Sequence, residues 1–202
     1  VSDISRGGNM TKRKKVLPIV VIVLAVLAVA IGAGYRFLMT SDTAFSKQFA
    51  SADGKYEITV PFNWNQLEVS TQNAVIAAKS ADSTMYAQFD VKVATGEEGN
   101  SIEEYIYSYI DKIANNSEDP IVQSISIPPT AGELGGKTGY YFELDSISQS
   151  VPIHIWGFIW YDAGTYKHIC VTSEGESIAK NAELAKSIII SARDVAKSTP
   201  AS

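Results

Sequence analysis

An uncharged run near the N-terminus constrains this chain more than any other feature. Residues 16–35 carry no charge, and four consecutive basic residues, 12–15, stand directly before them. At about 1.5 Å rise per residue, a helix of this length measures roughly 30 Å, which matches the hydrocarbon thickness of a bilayer. The run therefore predicts one N-terminal transmembrane helix over residues 16–38, with residues 1–15 as a basic tail.

The charges around this run predict how the chain is oriented. Basic residues favour the cytoplasmic side, so we expect the N-terminus inside and residues 45–194 outside, as a single-pass protein of the cell membrane. An alternative comes from Ala28 and Ala30, whose spacing suits a signal peptidase and would release the domain after cleavage near Ala30. The apolar run continues past that point to a full membrane span, which favours the anchor.

Charge and cysteine content exclude several classes of protein. Residues 1–39 hold six basic residues and one acidic residue, whereas residues 40–202 hold 11 basic and 21 acidic ones. Such an acidic domain repels nucleic acid, so we expect no nucleic-acid partner. Cys170 is the only cysteine, and no intramolecular disulfide can form.

The pattern after residue 45 predicts an α+β fold. Short strands joined by tight turns favour a single antiparallel β-sheet, and two amphipathic helices are expected to pack on its faces. Residues 151–161 are apolar on both sides and predict a central strand. Residues 122–127 are expected to end as a strand at Pro128 and Pro129, with residues 132–136 in a loop.

Two predicted helices carry N-terminal capping signals. Ser101 and Glu104 form a capping box at the start of the first helix. Ser173 and Glu176 suggest a second box before a helix over residues 176–192. Residues 195–202 are expected to fray.

No motif predicts a catalytic, cofactor-binding or metal-binding residue. The sequence has no nucleophile elbow, phosphate loop, zinc signature or dinucleotide fingerprint. Its two histidines, His154 and His168, are expected on opposite faces of the sheet, because the strand pairing puts His168 beside Ile159 and residues of a strand alternate in direction. A shared metal site and a histidine dyad are therefore not expected, and no cofactor is implied.

One aromatic row is the only candidate site. His154, Trp156, Phe158 and Trp160 share one face of the predicted central strand. Core packing beneath a helix is the ordinary interpretation of such a row. A ligand groove, formed where the cover is incomplete, is the alternative.

Three groups of residues resemble the PsbP-like family, which includes PsbP, the Mog proteins and bacterial exported proteins. They are residues 56–64 (YEITVPFNW), the helix that begins at Ser101, and the closing hairpin and helix through residues 185–189. The likeness covers about residues 45–192. It implies a non-enzymatic binding or assembly module, and it transfers no binding residue to this chain.

These observations lead to one main hypothesis and two alternatives. The main hypothesis is a membrane-anchored, extracytoplasmic module that binds an envelope protein or a ligand at the bacterial envelope. One alternative is a secreted or anchored hydrolase with an unrecognised site, which a cleft holding a perturbed carboxylate or histidine would favour. The other is a structural envelope subunit that oligomerises through its sheet edge or its anchor.

Overall fold

The computed structural model describes residues 45–69, 71–95, 101–115 and 121–195. The expected basic tail, the span over residues 16–38, the cleavage position near Ala30 and the frayed end beyond residue 195 all lie outside these ranges. No helix within the described ranges has the length and apolar character needed to cross a bilayer.

The elements, in chain order, are β1 Ser46–Ala50, β2 Tyr56–Pro61, β3 Asn65–Leu67, β4 Ala74–Lys79, β5 Met85–Val93, α1 Ile102–Asn115, β6 Ile121–Leu134, β7 Lys137–Ser148, β8 Val151–Asp162, β9 Thr165–Glu174, α2 Ile178–Ser191 and β10 Arg193–Asp194.

The α+β class is confirmed, but the expectation of one sheet is wrong. A seven-stranded antiparallel sheet has the order β3-β4-β5-β9-β8-β7-β6, and a separate three-stranded sheet has the order β1-β2-β10. The chain after α2 returns to β2, where Arg193 pairs with Glu57 and Asp194 with Tyr56. Both edges of β2 are thus occupied, so β2 cannot join the larger sheet.

Each face of the large sheet is covered by one helix. The helix α2 closes a core that includes Trp156, Phe158 and Ile188, while α1 closes a second core with Ile106 and Ile159. Strand β8 lies between β7 and β9 and contributes to both cores. Its apolar pattern on both faces therefore reflects a central strand, as predicted.

Strand β6 differs from the expectation. It continues through Pro128 and Pro129 as far as Leu134, and its pairing with β7 shifts register on both sides of Ile127. Strand β6 lies at the edge of the sheet, so the missing proline N–H groups break no ladder between two neighbours. The sequence pattern alone does not distinguish an edge position from a strand end.

The two predicted capping boxes have different outcomes. The backbone N–H of Glu104 donates to the hydroxyl of Ser101 (3.2 Å), as expected at the start of α1. The box at Ser173 is wrong, because a short 3-10 turn separates Ser173 from α2 and Ser177 is the N-cap, without a side-chain hydrogen bond. Ser173 instead accepts a hydrogen bond from the amide of Asn181 (3.0 Å).

Candidate functional site

A polar cavity of about 410 Å³ lies between α1 and strands β5 and β9. Its lining combines charged, amide, hydroxyl and aromatic side chains. They are Thr71, Gln72, Asn73, Gln88, Asp90, Lys92, Tyr105, Ser108, Tyr109 and His168.

Strand pairing brings the central charged groups of this pocket together. Asp90 on β5 lies directly opposite His168 on β9. Because strand residues alternate in direction, Gln88, Asp90 and Lys92 share the face of β5 that looks toward α1. The opposite face of β5 carries Phe89, which is fully buried in the core under α2. One strand thus has an apolar face for packing and a polar face for the pocket.

A chain of hydrogen bonds orients the carboxylate. The Tyr86 hydroxyl donates to Oε1 of Gln88 (2.7 Å), and Nε2 of Gln88 donates to both oxygens of Asp90 (2.9 and 3.0 Å). Oδ2 of Asp90 lies 3.6 Å from Nδ1 of His168, which is too long for a hydrogen bond. Nδ1 of His168 is buried and has no hydrogen-bond partner among the described residues. A buried polar atom without a hydrogen-bond partner costs folding free energy, so Nδ1 of His168 is a group able to bond a polar ligand.

Burial perturbs the pKa values of both groups. Burial raises the pKa of Asp90 to about 6, and the hydrogen bond from Gln88 opposes this shift only in part. Burial, together with the nearby charge of Lys92, lowers the pKa of His168 to about 4. At neutral pH the pocket therefore presents a carboxylate beside an uncharged imidazole.

Tyr109 of the lining and Cys170 next to it are not activated nucleophiles. The ring of Tyr109 packs against that of His168 with centroids 4.6 Å apart, and its hydroxyl lies 3.5 Å from Sγ of Cys170. Burial raises the pKa of Cys170 to about 12 and holds the pKa of Tyr109 well above its ordinary value. Both groups are protonated at neutral pH, and a thiolate is the reactive form of cysteine.

The aromatic row identified from the sequence lies on the other face of the sheet. Trp156, Phe158 and Trp160 are almost fully buried in the core under α2. Trp160 also lines a second cavity, of about 390 Å³, together with Lys137. The row is therefore largely buried in the core, and its Trp160 end reaches a cavity.

His154 belongs to the same face but makes polar contacts. Its Nδ1 lies 2.6 Å from Asp145 and its Nε2 lies 3.0 Å from Glu143. The ring also packs against Trp156, with centroids 4.4 Å apart. His154 thus contacts two acidic residues of β7 on one side and the ring of Trp156 on the other. His168 lies on the α1 face, opposite His154, as the strand parity predicts.

The Asp90–His168 pair was missed by sequence reasoning. Its signal was weak but present, since polar Gln88, Asp90 and Lys92 alternate with apolar residues in β5. Such alternation ordinarily indicates a solvated sheet face. Only the position of α1 converts part of that face into a pocket. Within the described residues, no group of three or more His, Cys, Asp or Glu side chains is arranged to hold a metal ion.

Comparisons with known proteins identify the fold. No family model and no curated protein matches the chain. The solution structure of cyanobacterial PsbP (CyanoP) from Synechocystis sp. PCC 6803 is similar, with a TM-score of 0.59 at 11% identity over 77% of this chain and 96% of that one. A crystal structure from Bacteroides thetaiotaomicron gives 0.52 at 13% identity, over 75% of this chain and 49% of that one. A point mutant of the protein Mog1 gives 0.51 at 10% identity, over 76% and 98%. The chain thus has the PsbP-like fold shared with Mog proteins, as its sequence resemblance indicated.

Proposed function

We propose that this chain is a membrane-anchored, extracytoplasmic binding module of the bacterial envelope, and that it holds a small polar ligand in the pocket between α1 and strands β5 and β9. The observation that carries this proposal is Nδ1 of His168, which is buried, has no hydrogen-bond partner among the described residues and lies beside the Asp90 carboxylate in a polar cavity. Binding sites combine a concave shape with a few convergent polar groups, and this pocket has both.

The fold supports a module that does not catalyse a reaction. The similar structures include a cyanobacterial PsbP and a Mog1 mutant, and the resemblance of this sequence to their family implies a non-enzymatic binding or assembly module. The protonated states of Tyr109 and Cys170 agree with this, because neither group can attack a substrate at neutral pH. The membrane location rests on the uncharged run of residues 16–35 and on the basic residues before it.

Copurification tests the ligand. The full-length chain is purified from native envelopes in mild detergent, and small molecules released on denaturation are identified by mass spectrometry. We expect a compound that accompanies the native protein and is lost in Ser108→Trp, because an indole at position 108 would fill the rim of the pocket. Tyr107→Trp is the matched control, since Tyr107 is the adjacent residue of α1, is exposed and does not line the pocket. Equal recovery of every compound from all three proteins would contradict the proposal.

Fractionation tests the membrane anchor. We expect the chain to remain in the membrane pellet after alkaline extraction, and the acidic domain to be degraded by protease added to intact spheroplasts. Replacing Leu24 by Arg would place a charge at the centre of the run, which costs about 3 kcal/mol on insertion scales. That variant should shift toward the soluble fraction, while Leu24→Ile should not. A wild-type chain found in the soluble cytoplasmic fraction would refute the anchor.

A hydrolase is the second candidate, favoured by a specific observation. The cleft contains a carboxylate with a raised pKa and a histidine with a lowered one, and perturbed pairs of this kind cluster at catalytic sites. Asp90 could act as a general base toward water. Hydrolysis of p-nitrophenyl acetate that is lost in Asp90→Asn and retained in Asp145→Asn would establish this candidate, whereas equal rates in both variants would remove it.

A further inference from the structure

We infer that the pocket between α1 and strands β5 and β9 takes a small zwitterion, namely a free polar amino acid. The Asp90 carboxylate and His168 would receive its ammonium group, and Lys92 its carboxylate. This inference rests on the proposed function, since it names the class of ligand for the same pocket.

The charges of the pocket carry the first step. Among the described lining residues, Asp90 is the one carboxylate and Lys92 the one ammonium. They lie two positions apart on the same face of β5, which separates their backbones by roughly 7 Å. A free amino acid carries its two opposite charges on one carbon atom, so it is short enough to lie between these side chains. Neither an anion nor a cation alone would match both of them.

The hydrogen-bonding capacity around Asp90 carries the second step. Among the described residues, one side chain, that of Gln88, donates to the Asp90 oxygens. A carboxylate can accept about four hydrogen bonds. Nδ1 of His168 lies 3.6 Å from Oδ2 of Asp90 and has no hydrogen-bond partner among the described residues. An ammonium group has three donors, so it can bond Asp90 and the uncharged His168 ring at the same time.

The remainder of the pocket suits a polar side chain and a carboxylate. The ammonium of Lys92 lies 5.8 Å from the centroid of the Tyr105 ring, and its charge is close enough to lower the pKa of His168. The lining residues just before β4, namely Thr71, Gln72 and Asn73, carry amide or hydroxyl groups. These groups both donate and accept, so they can bond polar amino-acid side chains but offer little to apolar ones.

Calorimetric titration of the full-length chain in detergent tests the inference. Each proteinogenic amino acid is titrated separately, and the tightest ligand is compared with its N-acetyl derivative and its carboxamide. The N-acetyl derivative lacks the ammonium, and the carboxamide lacks the carboxylate. We expect a polar amino acid to bind, and each derivative to bind on the order of tenfold to hundredfold more weakly, because each loses a charge-assisted hydrogen bond.

Matched variants assign each charge to its partner. In Asp90→Asn, the free amino acid should no longer bind more tightly than its N-acetyl derivative. In Lys92→Gln, it should no longer bind more tightly than its carboxamide. Asp145→Asn and Lys79→Gln remove the same charges from positions outside the pocket lining, and they should leave both preferences unchanged.

Two results would overturn the inference. One is that no amino acid binds. The other is that the free amino acid and its two derivatives bind the native protein equally, a result that does not depend on how any variant folds. In either case, a different compound that copurifies with the native chain and is lost in Ser108→Trp would leave the proposed function standing.

Discussion

Individual residues determine what packs against each face of the large sheet. Gly157, at the centre of β8, makes room for a neighbouring side chain. A Cβ atom built at this position would lie 2.1 Å from Cζ of Phe142, so the Phe142 ring occupies the space of the missing side chain. Asp90 shows this for the pocket, because its carboxyl group is buried there and burying a charge costs folding free energy.

Substituting Gly157 should be costly. We expect Gly157→Ala to destabilise the protein by about 1–3 kcal/mol, because the Phe142 ring must move within a packed core. Chemical denaturation monitored by tryptophan fluorescence measures this loss. Gly132→Ala is the control, since no atom lies within 4 Å of a Cβ built there. Similar losses in the two variants would show that the close contact with Phe142 is not the cause.

Removing the charge of Asp90 should stabilise the protein at neutral pH. Its folded-state pKa of about 6 lies above the ordinary value, so ionisation costs folding free energy as pH rises from about 4 to about 6, and the full cost persists above that range. We expect Asp90→Asn to be more stable than the native chain by about 1–3 kcal/mol at pH 7.5, with the difference vanishing below pH 4. Denaturation curves across this pH range provide the measurement. A variant that is less stable at pH 7.5 would mean that the carboxylate makes a net favourable contribution.

At the scale of secondary-structure elements, the starts of the two helices have different causes. The start of α1 is determined locally, by the hydroxyl of Ser101. The start of α2 is determined by its surroundings, because Ser173, which was expected to cap it, belongs to β9 and bonds Asn181 instead. A capping box is a local pattern, and a strand that is already paired with two neighbours can override it.

The cap of α1 is open to a direct test. We expect Ser101→Ala to lower the free energy of unfolding by about 1 kcal/mol, since the Glu104 N–H loses its partner. Thermal unfolding followed by circular dichroism measures the change. Ser108→Ala makes the same replacement inside α1, where alanine is a good helix former, and it should be neutral or slightly stabilising. A loss in Ser108→Ala as large as that in Ser101→Ala would refute the capping role.

At the scale of the whole molecule, an ion-pair cluster connects the two sheets. Lys167 on β9 is buried, and its ammonium lies 2.9 Å from Asp162 and 2.5 Å from Asp194. Asp194 belongs to β10, which pairs with β2 of the smaller sheet. Burial alone would lower the pKa of Lys167, but the hydrogen bonds that its ammonium donates to these two carboxylates outweigh burial and raise that pKa.

A double-mutant cycle measures this connection. We expect Asp194→Asn to cost about 1–3 kcal/mol, because a buried ammonium then loses one of its two partners. In a Lys167→Met background the same change should cost much less, which would give a coupling energy of about 1 kcal/mol or more. Equal losses in the two backgrounds would show that Asp194 acts only through the pairing of β10 with β2.

The edge strands of the large sheet affect whether the protein can oligomerise by strand pairing. Strand β6 forms one outer edge, and it contains two prolines, which lack a backbone N–H donor. An interrupted edge of this kind is a poor template for pairing with another chain. The structural-subunit alternative is therefore less well supported through β6 than the binding module is through its pocket.

The sequence by itself determined the features that depend on neighbours along the chain. The α+β class, the central position of β8 and the opposite faces of the two histidines follow from periodicity, and the cap of α1 follows from a local motif; each agrees with the structure. The expected membrane span rests on the same kind of evidence and stays a prediction. Tertiary structure decided the features that depend on distant partners. The second sheet exists because the chain after α2 returns to β2, β6 passes through its prolines because it lies at an edge, and the Asp90–His168 pocket forms because α1 crosses a polar strand face. These contacts join residues far apart in the chain, and no local pattern encodes which of them will meet.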